Sequence, residues 1–269
     1  MRRSLACIAV CIATLAGLSA CTTSPLGRAQ LVLFPDSEMS AMGVQAFDQM
    51  KKQTPQVQDA TVNRYVECVA QAVARETIGK PHAAQRWDVA VFKDDTANAF
   101  ALPGGKIGVH SGLLKVAKTP DQLATVIGHE LAHVLANHSN ERVSTNFAAQ
   151  SGLQVAAAVS GAAGSATQQQ LFGLLGVGTQ VGVLLPFSRA QEREADLMGL
   201  DLMASAGFNP DESIALWRNM EASGGARPPE FLSTHPGTTS RIHDLQARLS
   251  IARPLYERAR ASGKHPQCR

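Results

Sequence analysis

The chain has 269 residues, 45% of them hydrophobic and 17% charged, with a formal net charge of +3. That balance excludes an intrinsically disordered chain, which would be poor in apolar residues and rich in charge. No basic cluster of the kind that tracks a phosphate backbone occurs, so nucleic acid is not an expected partner.

Met1-Arg2-Arg3 is a basic start, and Leu5 to Leu18 is an apolar stretch too short to span a membrane comfortably. Leu18-Ser19-Ala20-Cys21 then sets small residues before a cysteine, which resembles a bacterial lipoprotein signal. Residues 1–20 are therefore expected to be a signal peptide, cleaved before Cys21, with lipid on the Cys21 sulfur. Loss of Arg2 and Arg3 would lower the formal charge to +1. Thr22 rather than Asp follows the cysteine, a choice that resembles outer-membrane sorting in enteric bacteria. The expected location is the periplasm, lipid-anchored to the outer membrane. In that oxidising compartment Cys68 and Cys268 are an even pair, expected to form a disulfide.

Residues 21–35 lack strong periodicity and suit a tether, leaving residues 36–269 as one domain. Ser37 to Gln53 and Asp59 to Ile78 read as amphipathic helices; in the second, Val62, Tyr65, Val66, Val69 and Val73 recur at helical spacing. Trp87 to Phe92 alternates as a strand does. Ala97 to Leu102 and Lys106 to Val109 read as two more, joined at Pro103-Gly104-Gly105. Thr119-Pro120-Asp121-Gln122 is a helix start, with an N-cap threonine and proline in the first turn. Ser188-Arg189-Ala190-Gln191 repeats the capping pattern, and Asn209-Pro210-Asp211-Glu212 opens another helix. A final helix is expected from about Thr238 to Ala252, ended or kinked by Pro254. Between Val143 and Ser188 no charged residue occurs. That segment is expected to be a helical hairpin with its tip near Gln168–Gln170, covering part of the site, or else ordinary core. Its glutamines and glycines make it less apolar than a stable membrane span requires. The sum is an α+β fold, mainly helical with a small sheet.

The helix opened by Thr119 carries Val126-Ile127-Gly128-His129-Glu130-Leu131-Ala132-His133-Val134-Leu135-Ala136-Asn137-His138. Residues four apart share a helical face, so His129 and His133 can grip one metal ion. Glu130 lies about 100° round the helix, within reach of a water on that metal. This is the mechanical sense of His-Glu-x-x-His: two zinc ligands and a general base. The metal also explains an acid in an apolar run, because an unpaired buried carboxylate costs several kcal/mol. A catalytic zinc usually takes a third protein ligand. On a continuous helix His138 points away from the zinc face, which suits a structural role. Glu192 and Asp196 share one face of the helix opened by Ser188, with Glu194 on the other side. They are the candidate source of the missing ligand.

His129-Glu130-Leu131-Ala132-His133, followed by Glu192-Arg193-Glu194-Ala195-Asp196, resembles the HtpX and CAAX-prenyl-protease type of zinc metallopeptidase. Asn98 to Gly105, and His235-Pro236 with Arg241-Ile242, add to the resemblance, which spans roughly residues 40 to 250. It implies a zincin-like domain with one zinc on His129, His133 and Glu192. Glu130 would activate the zinc-bound water, Asp196 would be an active-site acid orienting a ligand histidine, and His235 would donate to the developing oxyanion. The lipoprotein signal adds a resemblance to the soluble periplasmic branch, which includes a protease assisting outer-membrane β-barrel assembly; no counterpart of its helical repeats reads out of this sequence. The implied function is zinc-dependent cleavage of misfolded or unassembled cell-envelope polypeptides, with membrane contact through the lipid. The alternative is a proteolytically weak or latent chaperone or assembly factor. Glu130 speaks for cleavage, because a scaffold that never cuts needs no base.

Overall fold

The computed structural model describes residues 21–160, 187–223, 230–236 and 240–269. The signal-peptide expectation, residues 1–20, lies outside them. So do residues 161–186, which include the expected hairpin tip.

The centre of the fold is α3 (Pro120–Leu135), preceded in the chain by α1 (Asp36–Gln53) and α2 (Ala60–Arg75). Thr119 Oγ1 accepts the Gln122 N–H at 3.1 Å, and Pro120 fills the first turn, where no N–H is needed. From Gln122 to Leu135 every residue of α3 is buried. A helix apolar on all sides must be surrounded. On one side lies a sheet of β3 (Asp88–Phe92), β4 (Ala99–Leu102) and β5 (Lys106–His110), ordered β3-β5-β4. β5 pairs parallel with β3 and antiparallel with β4, which leaves β4 as an edge strand packed near α3.

On another side lies α5 (Arg189–Ser205), started by a complete capping box between Ser188 and Gln191. The two helices meet backbone to backbone. A Cβ on Gly199 would stand 2.6 Å from the His129 nitrogen, and one on Gly128 2.6 Å from the Gly199 oxygen. Only a glycine pair permits this approach, and it sets the first turns of α5 beside His129 and His133.

Three elements depart from the expectations. Residues 21–35 are not a loose tether. β1 (Cys21–Thr23) and β2 (Ala29–Leu31) form an antiparallel hairpin, with Gln30 Nε2 donating at 2.7 Å to the Ala136 carbonyl. Specific hydrogen bonds to the body, absent from any periodic pattern, hold it down. The second difference lies in α4 (His138–Ser160), which is not a smooth continuation of α3. Asn137 between them has φ 55°, a left-handed conformation that asparagine tolerates. The third is α8 (Arg241–Ala261), which follows α6 (Glu212–Ser223) and α7 (Glu230–Thr234) and continues past Pro254 rather than ending near Ala252. Proline inside a helix costs about 3 kcal/mol. Burial of Ala252 and Ala259 on either side offsets part of it. Cys268, just beyond, is joined to Cys68 of α2 with 5.5 Å between Cα atoms, which pins the tail to the body. No helix among the described residues is long and apolar enough to cross a membrane.

Candidate active site

α3 supplies His129, Glu130 and His133, α5 supplies Glu192 and Asp196, and the turn after α7 supplies His235. All six are buried. His129, His133, Glu192 and His235 each offer one donor atom, and these atoms lie within 4.8 Å of one another. His129 Nε2 is 3.1 Å from His133 Nε2 and 3.2 Å from His235 Nδ1. Glu192 Oε1 is 3.4 Å from His133 Nε2 and 3.0 Å from His235 Nδ1.

The far side of His129 fixes what its near side offers. Its Nδ1 faces Asp196 Oδ1 at 3.0 Å. An ionised carboxylate only accepts hydrogen bonds, so Nδ1 carries the proton and Nε2 presents a lone pair to the cluster. Asp196 is thus placed as the acid behind a ligand histidine. Glu130 is 3% exposed, and its Oε1 accepts no hydrogen bond among the described residues; His235 Nε2 stands 3.4 Å away without hydrogen-bond alignment. Convergent lone pairs with an unsatisfied buried carboxylate oxygen fit a dication and a water better than an empty polar hole. Imidazoles with a carboxylate are a donor set that suits zinc.

Burial raises the Glu130 carboxyl above its ordinary value, against the opposing pull of His235 and His129. Burial would also raise Glu192, but His235, His133 and His129 outweigh it and hold that carboxyl well below the usual range. At His133 burial dominates and pushes the imidazole well below its ordinary value. At His129 burial is overcome by Asp196 and Glu192, and the imidazole rises.

Arg241, noted in the sequence only beside the His-Pro pair, is central here. Its Nε donates to Asp196 at 2.6 Å and its Nη2 to Glu192 at 2.7 Å, while the guanidinium lies 3.9 Å over the Trp217 ring. Two carboxylates on one buried face need such a cation. Sequence reasoning also missed Arg142, which burial lowers to about 10 against the charges of Glu192 and Glu130, and which lies 4.1 Å over Phe187.

His138 is outside the donor group, yet not remote from it. The break at Asn137 turns its Nδ1 to 2.9 Å from His133 Nδ1, and its Nε2 to 3.1 Å from Glu194 Oε2. Burial lowers the His138 imidazole, with Glu194 opposing. Glu194, expected to face away, lies behind this second ring. Burial raises it, but His138, Ser24 and the Leu26 N–H outweigh that and bring it down to about 2.

A buried His-Glu-x-x-His helix crossed by a Glu-x-x-x-Asp helix, with imidazole and carboxylate donors converging, defines a zinc metalloendopeptidase site. Residues 60–249 match Peptidase family M48, and the chain belongs to that family. It is 39% identical over 174 residues to the mitochondrial metalloendopeptidase OMA1 of Schizosaccharomyces pombe, covering 64% of this chain and 49% of the relative. To the Arabidopsis thaliana protein of that name it is 33% identical over 232 residues, 82% of this chain and 44% of the relative. To the β-barrel assembly-enhancing protease of Escherichia coli K12 it is 28% identical over 225 residues, 80% and 44%. The chain spans about half the length of the curated relatives it matches.

These relatives correct the expected compartment. The two with mitochondrial names exceed the bacterial one in identity, which overturns the placement at a bacterial periplasmic outer membrane. The signal and sorting patterns behind that placement are short and compositional, and lie outside the matched residues 60–249.

Proposed function

We propose that the chain is an endopeptidase acting on misfolded or unassembled membrane-associated polypeptides, with His129, His133 and Glu192 holding one zinc. The observation that carries this is Glu130, a buried carboxylate with one unsatisfied oxygen beside four converging donor atoms. When bound, zinc supplies Lewis acidity to a water and to the scissile carbonyl. Glu130 takes the water's proton and delivers it to the leaving amine. Its raised affinity for protons suits it to both transfers. His235 donates to the developing oxyanion from the side facing Glu130. Asp196 keeps His129 in the right tautomer, and Arg241 donates to both Asp196 and Glu192 and holds them in place.

The substrate class follows from the sheet. β4 is an edge strand, and its Ala101 N–H donates to Glu130, which ties the base to that strand. An extended chain can add to such an edge through backbone bonds alone, which favours unfolded substrates over particular sequences. One relative is named for enhancing β-barrel assembly, which supports targets caught before they assemble. Nucleic acid has no part in this reading.

Digestion of casein by the purified chain, with and without chelator, tests it. Glu130→Gln should keep zinc and lose cleavage by about 10²–10⁴-fold. A zinc-free wild type, or a Glu130→Gln variant cutting at the wild-type rate, overturns the reading.

A further inference from the structure

His133 faces the metal-donor group with Nε2 and turns Nδ1 away from it. Behind it stands His138, and behind His138 stands Glu194. The two Nδ1 atoms are 2.9 Å apart, a contact that requires one of them to donate and the other to accept. The far end decides which. His138 Nε2 is 3.1 Å from a Glu194 oxygen, and a carboxylate can only accept, so His138 carries its proton on Nε2. A neutral imidazole has a single N–H. His138 Nδ1 is therefore the acceptor, His133 Nδ1 the donor, and His133 Nε2 the free lone pair. The opposite assignment needs a charged imidazolium at 0% exposure, pressed against a ligand of a dication.

We propose that His138 is a positioning residue for His133: through Glu194 it fixes the His133 tautomer and ring orientation that presents Nε2 to the metal. The inference rests on the zinc reading above and deepens it. Glu194 is itself held in place for this. Its Oε1 accepts the Leu26 N–H at 3.0 Å, and its Oε2 faces Arg28 Nη2 at 3.3 Å. The hairpin thus braces the outer end of the relay. The α3–α4 break is what makes the relay possible, because an uninterrupted helix would carry His138 away from His133.

The test is zinc affinity, measured on the purified chain by competition with a chromophoric chelator. His138→Leu removes the acceptor and should weaken zinc binding about 10–100-fold. His138→Asn sets an amide oxygen close to where Nδ1 was. It should recover most of that loss, which a merely space-filling role would not allow. The second readout is the ring-nitrogen NMR of wild-type protein loaded with zinc. It should show His133 protonated on Nδ1, with Nε2 shifted by the metal. Wild-type binding by a folded His138→Leu variant, or a His133 ring protonated on Nε2, overturns the proposal whatever the variants do. A wild-type chain that binds no zinc sinks this inference together with the zinc reading. A zinc-binding wild type matched by His138→Leu sinks this inference alone.

Discussion

His129 leans directly on Asp196, and Arg241 closes that arm from inside the core. His133 leans on a second imidazole, and its arm runs on through Glu194 to Arg28, on a hairpin at the edge of the molecule. Both arms run from a ligand histidine to an acid of α5 and an arginine, with His138 interposed in the second, and their surroundings differ. Arg241 is 5% exposed and lies within the matched residues 60–249, whereas Arg28 is 26% exposed and lies outside them. One arm is buried in the folded core. The other reaches a peripheral element, so events at the hairpin have a physical path to His133.

The sharpest way to break this comparison is to remove each arginine. Arg241→Met leaves Asp196 and Glu192 buried without their cation and should destabilise by about 3–5 kcal/mol, the usual penalty for half of a buried ion pair. Arg28→Met removes a partly solvated cation and should cost about 1 kcal/mol or less. Urea midpoints of both variants at neutral pH decide the matter. Equal losses would mean that the arms are equally buried in energetic terms, and the distinction would fail.

The next largest effect is on the metal. Asp196→Ala strips the acid directly behind His129 and should weaken zinc binding about 10–100-fold. Glu194→Leu acts one ring further away and should fall at or below the lower end of that range. A larger loss at Glu194 than at Asp196, in the same chelator competition, would reverse the ranking of the two arms.

Acid titration sharpens the comparison further. Glu194 moves from an ordinary 4.5 down to about 2 in the folded chain. Between those values the unfolded chain holds a proton on this group and the native one does not. The stabilisation is therefore complete above pH 4.5 and is lost as the pH falls toward 2. In chelator, wild type should be more stable than Glu194→Gln at pH 6, with the gap closing steadily through that window. A gap that stays constant down to pH 2 would show that Glu194 is not the group responsible.

How much of this was legible in the sequence follows the same division. The core arm announced itself locally: Thr119 and Pro120 marked the start of α3, Ser188 and Gln191 that of α5, and spacing put His129 with His133 and Glu192 with Asp196. The peripheral arm did not. Arg28 and Glu194 are 166 residues apart, and residues 21–35 carry no periodicity to predict a hairpin. Straight-helix geometry extended through Asn137 keeps His138 out of the donor group, where it indeed lies, but does not set it against His133 Nδ1. Asparagine near a helix end does signal a left-handed break, and that signal would have turned His138 back toward His133. His235 reached the site through resemblance alone, which could not say that Nδ1 would join the donor group while Nε2 faces Glu130.

The smallest expected effect is the most informative about the hairpin. Arg28 Nη2 bonds Glu141 at 2.7 Å as well as reaching Glu194, and Glu141 also accepts from Gln30 and Gln191. Removing Arg28 therefore leaves Glu141 two neutral donors and leaves Glu194 its bond from the Leu26 N–H. Glu194 remains near His138 with a weaker hold, so the His133 tautomer should survive with more motion around it. Arg28→Met should accordingly lower zinc affinity by only a few-fold, under the roughly 10-fold that marks loss of a direct partner. Its zinc release should be faster in proportion, measured by stopped-flow transfer to a chelator. Arg28 touches no donor atom, and its path to His133 through Glu194 and His138 competes with one through Glu141 and Gln191 to Glu192. The double variant Arg28→Met with His138→Leu should then release zinc no faster than His138→Leu alone. Independent, additive acceleration would show that the hairpin acts on the site by some other route.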